Sequence, residues 1–380
     1  MGKPIEVHGY CDDRFSGVRD AFVKNFENDN DVGASFAATV EGEFVVDIWA
    51  GYADEAKTRP WEEDTIVNVY STTKVMTVIS ALMQVDRGLI DLDAPVADYW
   101  PEFAQGGKEK LPVRYLFSHA SGLSGFEPPV TTEALYDWEK ITGLLAAMEP
   151  WWEPGTQCGY HALTHGYLLG ELVRRVTGKS LGTFFKEEVA DPLGADFHIG
   201  FDESHDVRVG ELIPPPPPPD TGFKPEPGSV LAKHMASIDL SALESRTRAW
   251  RAAEIPAANG HGNARSVARI ASAMACGGEV DGVRLMSQAT IDKALEEQIK
   301  GTDLVMMIPV RYGLGFGLQS ELVPIGPNPR TFFWGGWGGS LCIMDPDARV
   351  SYSYVMNKMY DGTTGDLRAG GPGAALYACL

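Results

Sequence analysis

Ser71 and Lys74 stand three residues apart in the segment NVYSTTKVMT. On a helix, that spacing puts both side chains on one face, one turn apart. A serine attacks a carbonyl only when a base removes its proton, and a lysine can be that base where a low-dielectric pocket lowers its pKa. A place at the start of a helix also sets Ser71 at the positive end of the helix dipole. After Lys74 no charged residue occurs before Asp86. The run STTKVMTVISALMQVDRG therefore predicts a buried central helix over 71–88, ended by Gly88, with Lys74 shielded from water. The plain alternative is a helix-capping serine and a solvated lysine, because S-x-x-K strings are common by chance.

Two further segments could join this pair. Tyr160 lies in EPGTQCGYHALTHGYLLGELV, near the junction of a Pro-Gly loop and a helix. Its hydroxyl, set beside Lys74, could relay the Ser71 proton; otherwise it is a packed tyrosine with a bonded hydroxyl. The string WGGWGGS, Trp334 to Ser340, places glycines beside tryptophans in an apolar strand. That pattern marks either a close backbone approach to a ligand or a bulge against a neighbouring element. A nucleophile elbow is not present: HASGLSGF holds Gly122, Ser124 and Gly125, but not as G-x-S-x-G. His119 and Asp345 could be nominated for a triad, yet nothing places them near an elbow serine.

The elements that must position these residues are legible in outline. Residues 14–28 carry Phe15, Val18, Phe22 and Phe26 at helical spacing. GASFAATVEG and EFVVDIWAGYAD predict a hairpin turning at Glu41-Gly42. Helical patterns dominate from Ser71 onwards, clearest in TEALYDWEKITGLLAAM and THGYLLGELVRRVTG, and recur at SVARIASAMA, 266–275. YGLGFGLQS, TFFWGGWGGSLCIMD and ARVSYSYVMNKM then fit two or three adjacent strands, and 371–380 a short helix. The prolines 214–219 predict an extended surface segment. The expected architecture is an α/β chain of α+β type, a central antiparallel sheet flanked by helices. A discontinuous domain of residues 1–64 and 265–380 would hold the sheet, with a mainly helical domain of 65–264 inserted. The substrate site is expected in the cleft between them.

Composition narrows the function. With 380 residues, 44% of them hydrophobic and 22% charged, the chain is an ordinary globular protein rather than a disordered or fibrous one. A net charge of -20 without a basic cluster argues against nucleic acid and anionic membranes as partners. No leader-like or membrane-spanning run is seen, so a cytoplasmic setting is expected. The five cysteines are widely spaced and odd in number, which reads as reduced thiols. Neither they nor the eight histidines show metal-site spacing, so no cofactor or metal is expected.

Taken together, the three segments resemble the serine β-lactamase-like superfamily. It includes class C β-lactamases, penicillin-binding proteins of the DD-peptidase type and family VIII carboxylesterases. Ser71-Thr72-Thr73-Lys74 stands at its S-x-x-K motif, Tyr160-His161-Ala162 at Y-x-N, and Trp334-Gly335-Gly336 at K-T-G. LFSHASGL, EPGT and NGHGNARSVARIASAMACGG are also similar to the family. The resemblance implies a β-lactamase/penicillin-binding-protein-like fold and the catalytic residues Ser71, Lys74 and Tyr160. It further implies an oxyanion hole made by the backbone N–H groups of Ser71 and Trp337. Trp334, Gly335, Gly336, His161 and Trp152 are expected to line the substrate pocket. Ala162 replaces the usual Asn, and Trp334 replaces the Lys whose charge can meet a substrate carboxylate. WGG resembles family VIII esterases, so the expected substrate is a small ester of short to medium acyl length. β-Lactam or peptide hydrolysis, acyl transfer through the same acyl-enzyme, and an inactive binding homologue are the alternatives.

Overall fold

The computed structural model describes residues 5–27, 30–217, 222–321 and 323–380. Nine strands form one sheet: β1 Val7–Cys11, β2 Gly33–Val40, β3 Glu43–Gly51, β4 Ile299–Thr302, β5 Pro309–Tyr312, β6 Gly317–Leu318, β7 Phe332–Gly335, β8 Leu341–Asp345 and β9 Val350–Met356. Their order is β1-β3-β2-β9-β8-β7-β6-β5-β4, and every neighbouring pair is antiparallel. The β2–β3 hairpin turns on Glu41 (φ 54°) and Gly42 (φ 86°), the two left-handed residues that a tight hairpin requires.

Seven helices have eight residues or more among those described: α1 Ser16–Lys24, α2 Thr73–Asp86, α3 Trp138–Ala147, α4 Thr164–Thr177, α5 Val230–Ser237, α6 Ala264–Ala275 and α7 Gly370–Tyr377. The alternation in β9 (VSYSYVM) sends α6 to one face of the sheet and α1 and α7 to the other. Ser351 Oγ donates to Ala268 O of α6 at 2.8 Å, and Ala264 N donates to Ser35 Oγ of β2 at 3.1 Å. These small side chains let α6 lie close to the sheet. Tyr354 points the other way, its ring edge-to-face with Phe22 of α1 at 6.1 Å. There α1 and α7 pack side by side through small residues: a Cβ on Gly371 would lie 3.8 Å from Ala21 Cβ. Helix α6 starts on a capping box in which Asn263 and Ser266 satisfy each other's backbone N–H groups.

Several sequence expectations change in detail. The first helix is shorter than 14–28: Asp13–Phe15 is a 3-10 turn, α1 ends at Lys24, and residue 28 lies outside the described residues. The C-terminal half contributes six of the nine sheet strands, and the segments expected to hold two or three contain four whole ones, β6 to β9. YGLGFGLQS is mostly not strand, because Gly313–Phe316 closes a turn with Gly315 at φ 80°. The edge strands β1 and β4 escape the reading because most of their side chains face water and carry no apolar alternation. Pro214–Pro217 are neither helix nor strand, and Pro218 and Pro219 lie outside the described residues.

Candidate active site

Helix α2 is entered through one 3-10 turn, Tyr70–Thr72, so Ser71 sits in the turn just before Thr73. Tyr70 has φ 43°, a left-handed conformation that costs a non-glycine residue about 1–3 kcal/mol. The surroundings hold it there. Thr73 Oγ1 donates to Tyr70 O and accepts from Gly260 N at 2.8 Å, while Tyr70 Oη donates to Ala242 O at 3.2 Å. The strained residue thus immediately precedes Ser71.

Ser71, Lys74 and Tyr160 close a triangle. Lys74 Nζ lies 3.0 Å from Ser71 Oγ and 3.0 Å from Tyr160 Oη, and the two oxygens are 2.6 Å apart. Lys74 is fully buried and also donates to Ala162 O at 2.7 Å and Ala257 O at 3.0 Å. Burial holds its pKa well below the ordinary 10.5. In a neutral amine, the two N–H groups serve these two carbonyls and the lone pair faces the two hydroxyls. Burial pushes the Tyr160 phenol up. Its bond with Ser71 and the nearby Trp334 indole N–H oppose that shift, and the Asp303 charge adds to it. The indole N–H itself meets no acceptor at hydrogen-bond geometry. A neutral Lys74 beside a protonated Tyr160 is the state this environment favours.

Tyr160 is held from behind by rings and by Asp303. His119 and Trp334 stack at 5.3 Å, and their ring centres lie 5.4 and 5.9 Å from that of Tyr160. His161 is fully buried, with Nδ1 2.6 Å from Gly159 O and Nε2 2.7 Å from Ser121 Oγ. Burial lowers its pKa to about 3, so it is a neutral ring that donates from Nδ1 and accepts at Nε2. Trp152 packs beside it at 6.0 Å and donates to Gln157 O. Buried Asp303 accepts from Tyr160 N at 3.0 Å, from Val305 N and Met306 N at 2.8 Å, and from Tyr312 Oη at 3.1 Å. Sequence reasoning missed Asp303, which lies 143 residues from Tyr160 in the chain.

The end of β7 meets the start of α2. A Cβ on Gly336 would lie 2.1 Å from Val69 O and 3.2 Å from Ser71 N, so only glycine allows this approach. Ser340 Oγ donates to Val69 O at 2.8 Å and lies 2.8 Å from Thr72 Oγ1, pinning the two segments together. Gly335 is packed as closely on its other side, against the Thr364 carbonyl. Among the described residues none accepts the Trp337 N–H, and the Trp337 ring stands edge-on to Tyr70 at 5.0 Å. Of the remaining nominees, His119 lies in the aromatic cage. Asp345 is engaged elsewhere, by Tyr377 Oη and Asn328 Nδ2. The described residues include no group of three or more His, Cys, Asp or Glu able to hold a metal, and no helix long and apolar enough to cross a membrane.

Known proteins resemble this chain in sequence and in fold. The sequence profile of the Beta-lactamase family matches residues 22–372. The chain is 35% identical over 374 residues to Esterase/beta-lactamase LipL of Mycobacterium tuberculosis (strain ATCC 25618 / H37Rv), covering 93% of this chain and 83% of that protein. A solved family VIII carboxylesterase is 44% identical with a TM-score of 0.93, covering 99% of this chain and 100% of that one. A penicillin-binding protein homologue from Caulobacter crescentus is 40% identical with a TM-score of 0.91, at 99% and 100% coverage. The mixed α/β fold with its large antiparallel sheet is the fold of these neighbours, and the chain belongs to the Beta-lactamase family.

Proposed function

We propose that the protein hydrolyses short to medium acyl esters through an acyl-enzyme on Ser71. The observation that carries this reading is the closed triangle of Ser71 Oγ, Lys74 Nζ and Tyr160 Oη, with Lys74 fully buried so that its pKa is held well below the ordinary value. As Oγ attacks the ester carbonyl, the Ser71 proton passes to the Tyr160–Lys74 pair. The ammonium formed on Lys74 is met by Ala162 O, Ala257 O and the Tyr160 oxygen. The N–H groups of Ser71 and Trp337 receive the oxyanion. Tyr160 returns the proton to the departing alkoxide, which leaves as the alcohol. Water then gives its proton to the same pair and adds to the acyl carbon. Collapse releases the carboxylic acid and restores Ser71.

In this reading the reacting groups lie at the junction of a sheet-bearing unit, 1–64 and 265–380, with the helical residues 65–264. The ester preference is supported by Trp334, a ring stacked on His119 beside Tyr160 where a substrate-pairing cation would otherwise stand. The test is intact-protein mass spectrometry after brief exposure to p-nitrophenyl acetate, butyrate and laurate and to nitrocefin. Acetyl and butyryl adducts on Ser71 are expected, with kcat/KM for butyrate well above that for nitrocefin. The opposite order would make β-lactam hydrolysis the main activity. The mycobacterial relative is named for both activities, so slow nitrocefin turnover by the same serine is consistent with the proposal.

Trp334→Lys probes the selectivity. One charge-assisted contact is worth about 1–3 kcal/mol, so the ratio of kcat/KM for cephalothin over p-nitrophenyl butyrate should rise by roughly 5- to 150-fold in the folded variant. An unchanged ratio removes Trp334 as the selectivity element and leaves Ala162 and the geometry around Tyr160 as the cause.

A further inference from the structure

The Gly336–Trp337 peptide has its carbonyl and its N–H on opposite sides, as any trans peptide does. Its carbonyl is held: Gly336 O accepts from Gly339 N at 3.1 Å and from Gly365 N at 3.3 Å. Those bonds orient the Trp337 N–H, and two donors on the carbonyl polarise it. The turn that supplies the first bond runs through two glycines. Gly338 (φ 96°) and Gly339 (φ 127°) have backbone angles that side chains rarely adopt, and neither has a side chain of its own to fix the turn.

Backbone bonds reach the turn, from Tyr360 N to Gly338 O at 3.1 Å and from Gly338 N to Gly362 O at 2.9 Å, and the Arg368 guanidinium adds a side-chain donor from behind. Arg368 Nη2 donates to Gly338 O at 2.5 Å and to Asp366 Oδ2 at 2.6 Å. Its Nη1 donates to Asp31 Oδ1 at 2.6 Å and to Lys358 O at 2.8 Å, and its Nε reaches both Asp366 oxygens at 3.1 Å. The plane lies over the Tyr360 ring at 4.4 Å. A Cβ on Gly339 would sit 2.2 Å from Nη2. The Arg368 side chain is 8% exposed and that of Asp31 fully buried, and Asp31 is bonded in turn by the Tyr354 hydroxyl of β9. Buried ion pairs are poor sources of net stability, since apolar groups of similar volume often do as well. This one braces a planar fork on two carboxylates and sets one of its N–H groups on a carbonyl of a glycine turn, which an apolar side chain cannot do.

We propose that Arg368, braced by Asp31 and Asp366, is a positioning residue for the oxyanion-binding N–H of Trp337. The proposal rests on the reading of Ser71 as the nucleophile. Loss of the fork lets the Gly338 carbonyl turn and the Gly336–Trp337 peptide tilt, so transition-state stabilisation falls while substrate binding is little changed.

The test compares Arg368→Gln, Arg368→Lys and Asp366→Asn with the wild type, using p-nitrophenyl butyrate and a phenylboronic acid. The boronic acid adds to a serine hydroxyl and places a tetrahedral oxygen where the oxyanion forms. Arg368→Gln should lower kcat about 10- to 100-fold with KM changed less than threefold, and weaken boronate affinity by a similar factor. Arg368→Lys, which keeps a charged donor, should recover part of both losses. A general packing defect would instead lower the folded fraction without tying kcat to boronate affinity. Folded Arg368→Gln with kcat and boronate affinity within threefold of wild type overturns the assignment. Should that variant not fold, Asp366→Asn decides. A three- to tenfold loss in both quantities supports the proposal, and no loss overturns it. A wild type that neither turns over the ester nor binds the boronate would overturn the Ser71 reading, and this proposal with it. A wild type that does both, beside unaffected variants, would remove only Arg368.

Discussion

Replacing Ser71 with Ala should reduce p-nitrophenyl butyrate turnover by at least about 10⁴-fold, to the level of adventitious hydrolysis. The nucleophile is lost outright, and the two proton-handling groups have nothing left to activate. The fold should persist. Ser71 is small, and its removal leaves Lys74 bonded to Ala162 O, Ala257 O and Tyr160 Oη. The measurement is the rate per mole of folded protein, with circular dichroism confirming the fold and mass spectrometry confirming loss of the acyl adduct. Activity within tenfold of wild type would place the nucleophile elsewhere.

Tyr160→Phe should lower kcat by about 10²–10⁴-fold, the usual scale for a lost general acid–base, while KM changes little. One oxygen disappears from a site where the ring remains packed by His119 and Trp334. Leaving-group dependence supplies a second readout. A poor leaving group such as an alkyl alkoxide needs the returned proton, so alkyl esters should suffer more than p-nitrophenyl esters. Equal losses on both would assign Tyr160 to Ser71 activation alone. The wild-type pH profile has a fixed sign. Attack needs the unprotonated Lys74 amine, so kcat/KM falls as pH falls through the pKa of Lys74. Burial has lowered that pKa, so the acid limb lies well below the usual lysine range near 10.5. Burial raises Tyr160, so loss of its proton sets in only above the ordinary phenol value of 10.0. A broad plateau between the two limbs is expected, and an acid limb at the ordinary lysine value would contradict an uncharged Lys74.

The parts of the site that were readable in the sequence are those whose information is local. Ser71 and Lys74 are joined by helical spacing, and the apolar run after them predicts their burial. The β2–β3 hairpin is written in Glu41-Gly42, and α1 in the spacing of Val18 and Phe22, with Phe15 in the turn just before it. That Tyr160 and Trp334 belong with the serine came from the resemblance of three separated motifs, because neither residue's own surroundings separate it from an ordinary core aromatic. Contacts set by tertiary folding left no trace. Asp303 holds Tyr160 across 143 residues, and Arg368 meets Asp31 across 337. No pattern announces that an aromatic residue, Tyr70, will take a left-handed conformation, since the Thr73, Gly260 and Ala242 groups that stabilise it gather only in the folded chain.

The ladder between β2 and β9 bears on how the chain reaches this state. Thr39 Oγ1 and Ser351 Oγ, facing each other across that ladder, are 2.7 Å apart in space and 312 residues apart in sequence. The hairpin β2–β3 can form early, but one edge of β2 stays unpaired until β9 has been synthesised. During translation, at roughly 5–20 residues per second, that exposed apolar edge persists for some tens of seconds. Such an edge can recruit another chain, so aggregation of nascent chains competes with folding. Closing so long a loop is also slow, because its entropy is lost before the strand contacts repay it. The last strand therefore completes the sheet and, through Tyr354, Asp31 and Arg368, the turn beside Ser71. On the proposed mechanism, a ribosome-bound chain that lacks β9 would carry Ser71 without a finished oxyanion site, and ester turnover would begin only once β9 and Arg368 had been made.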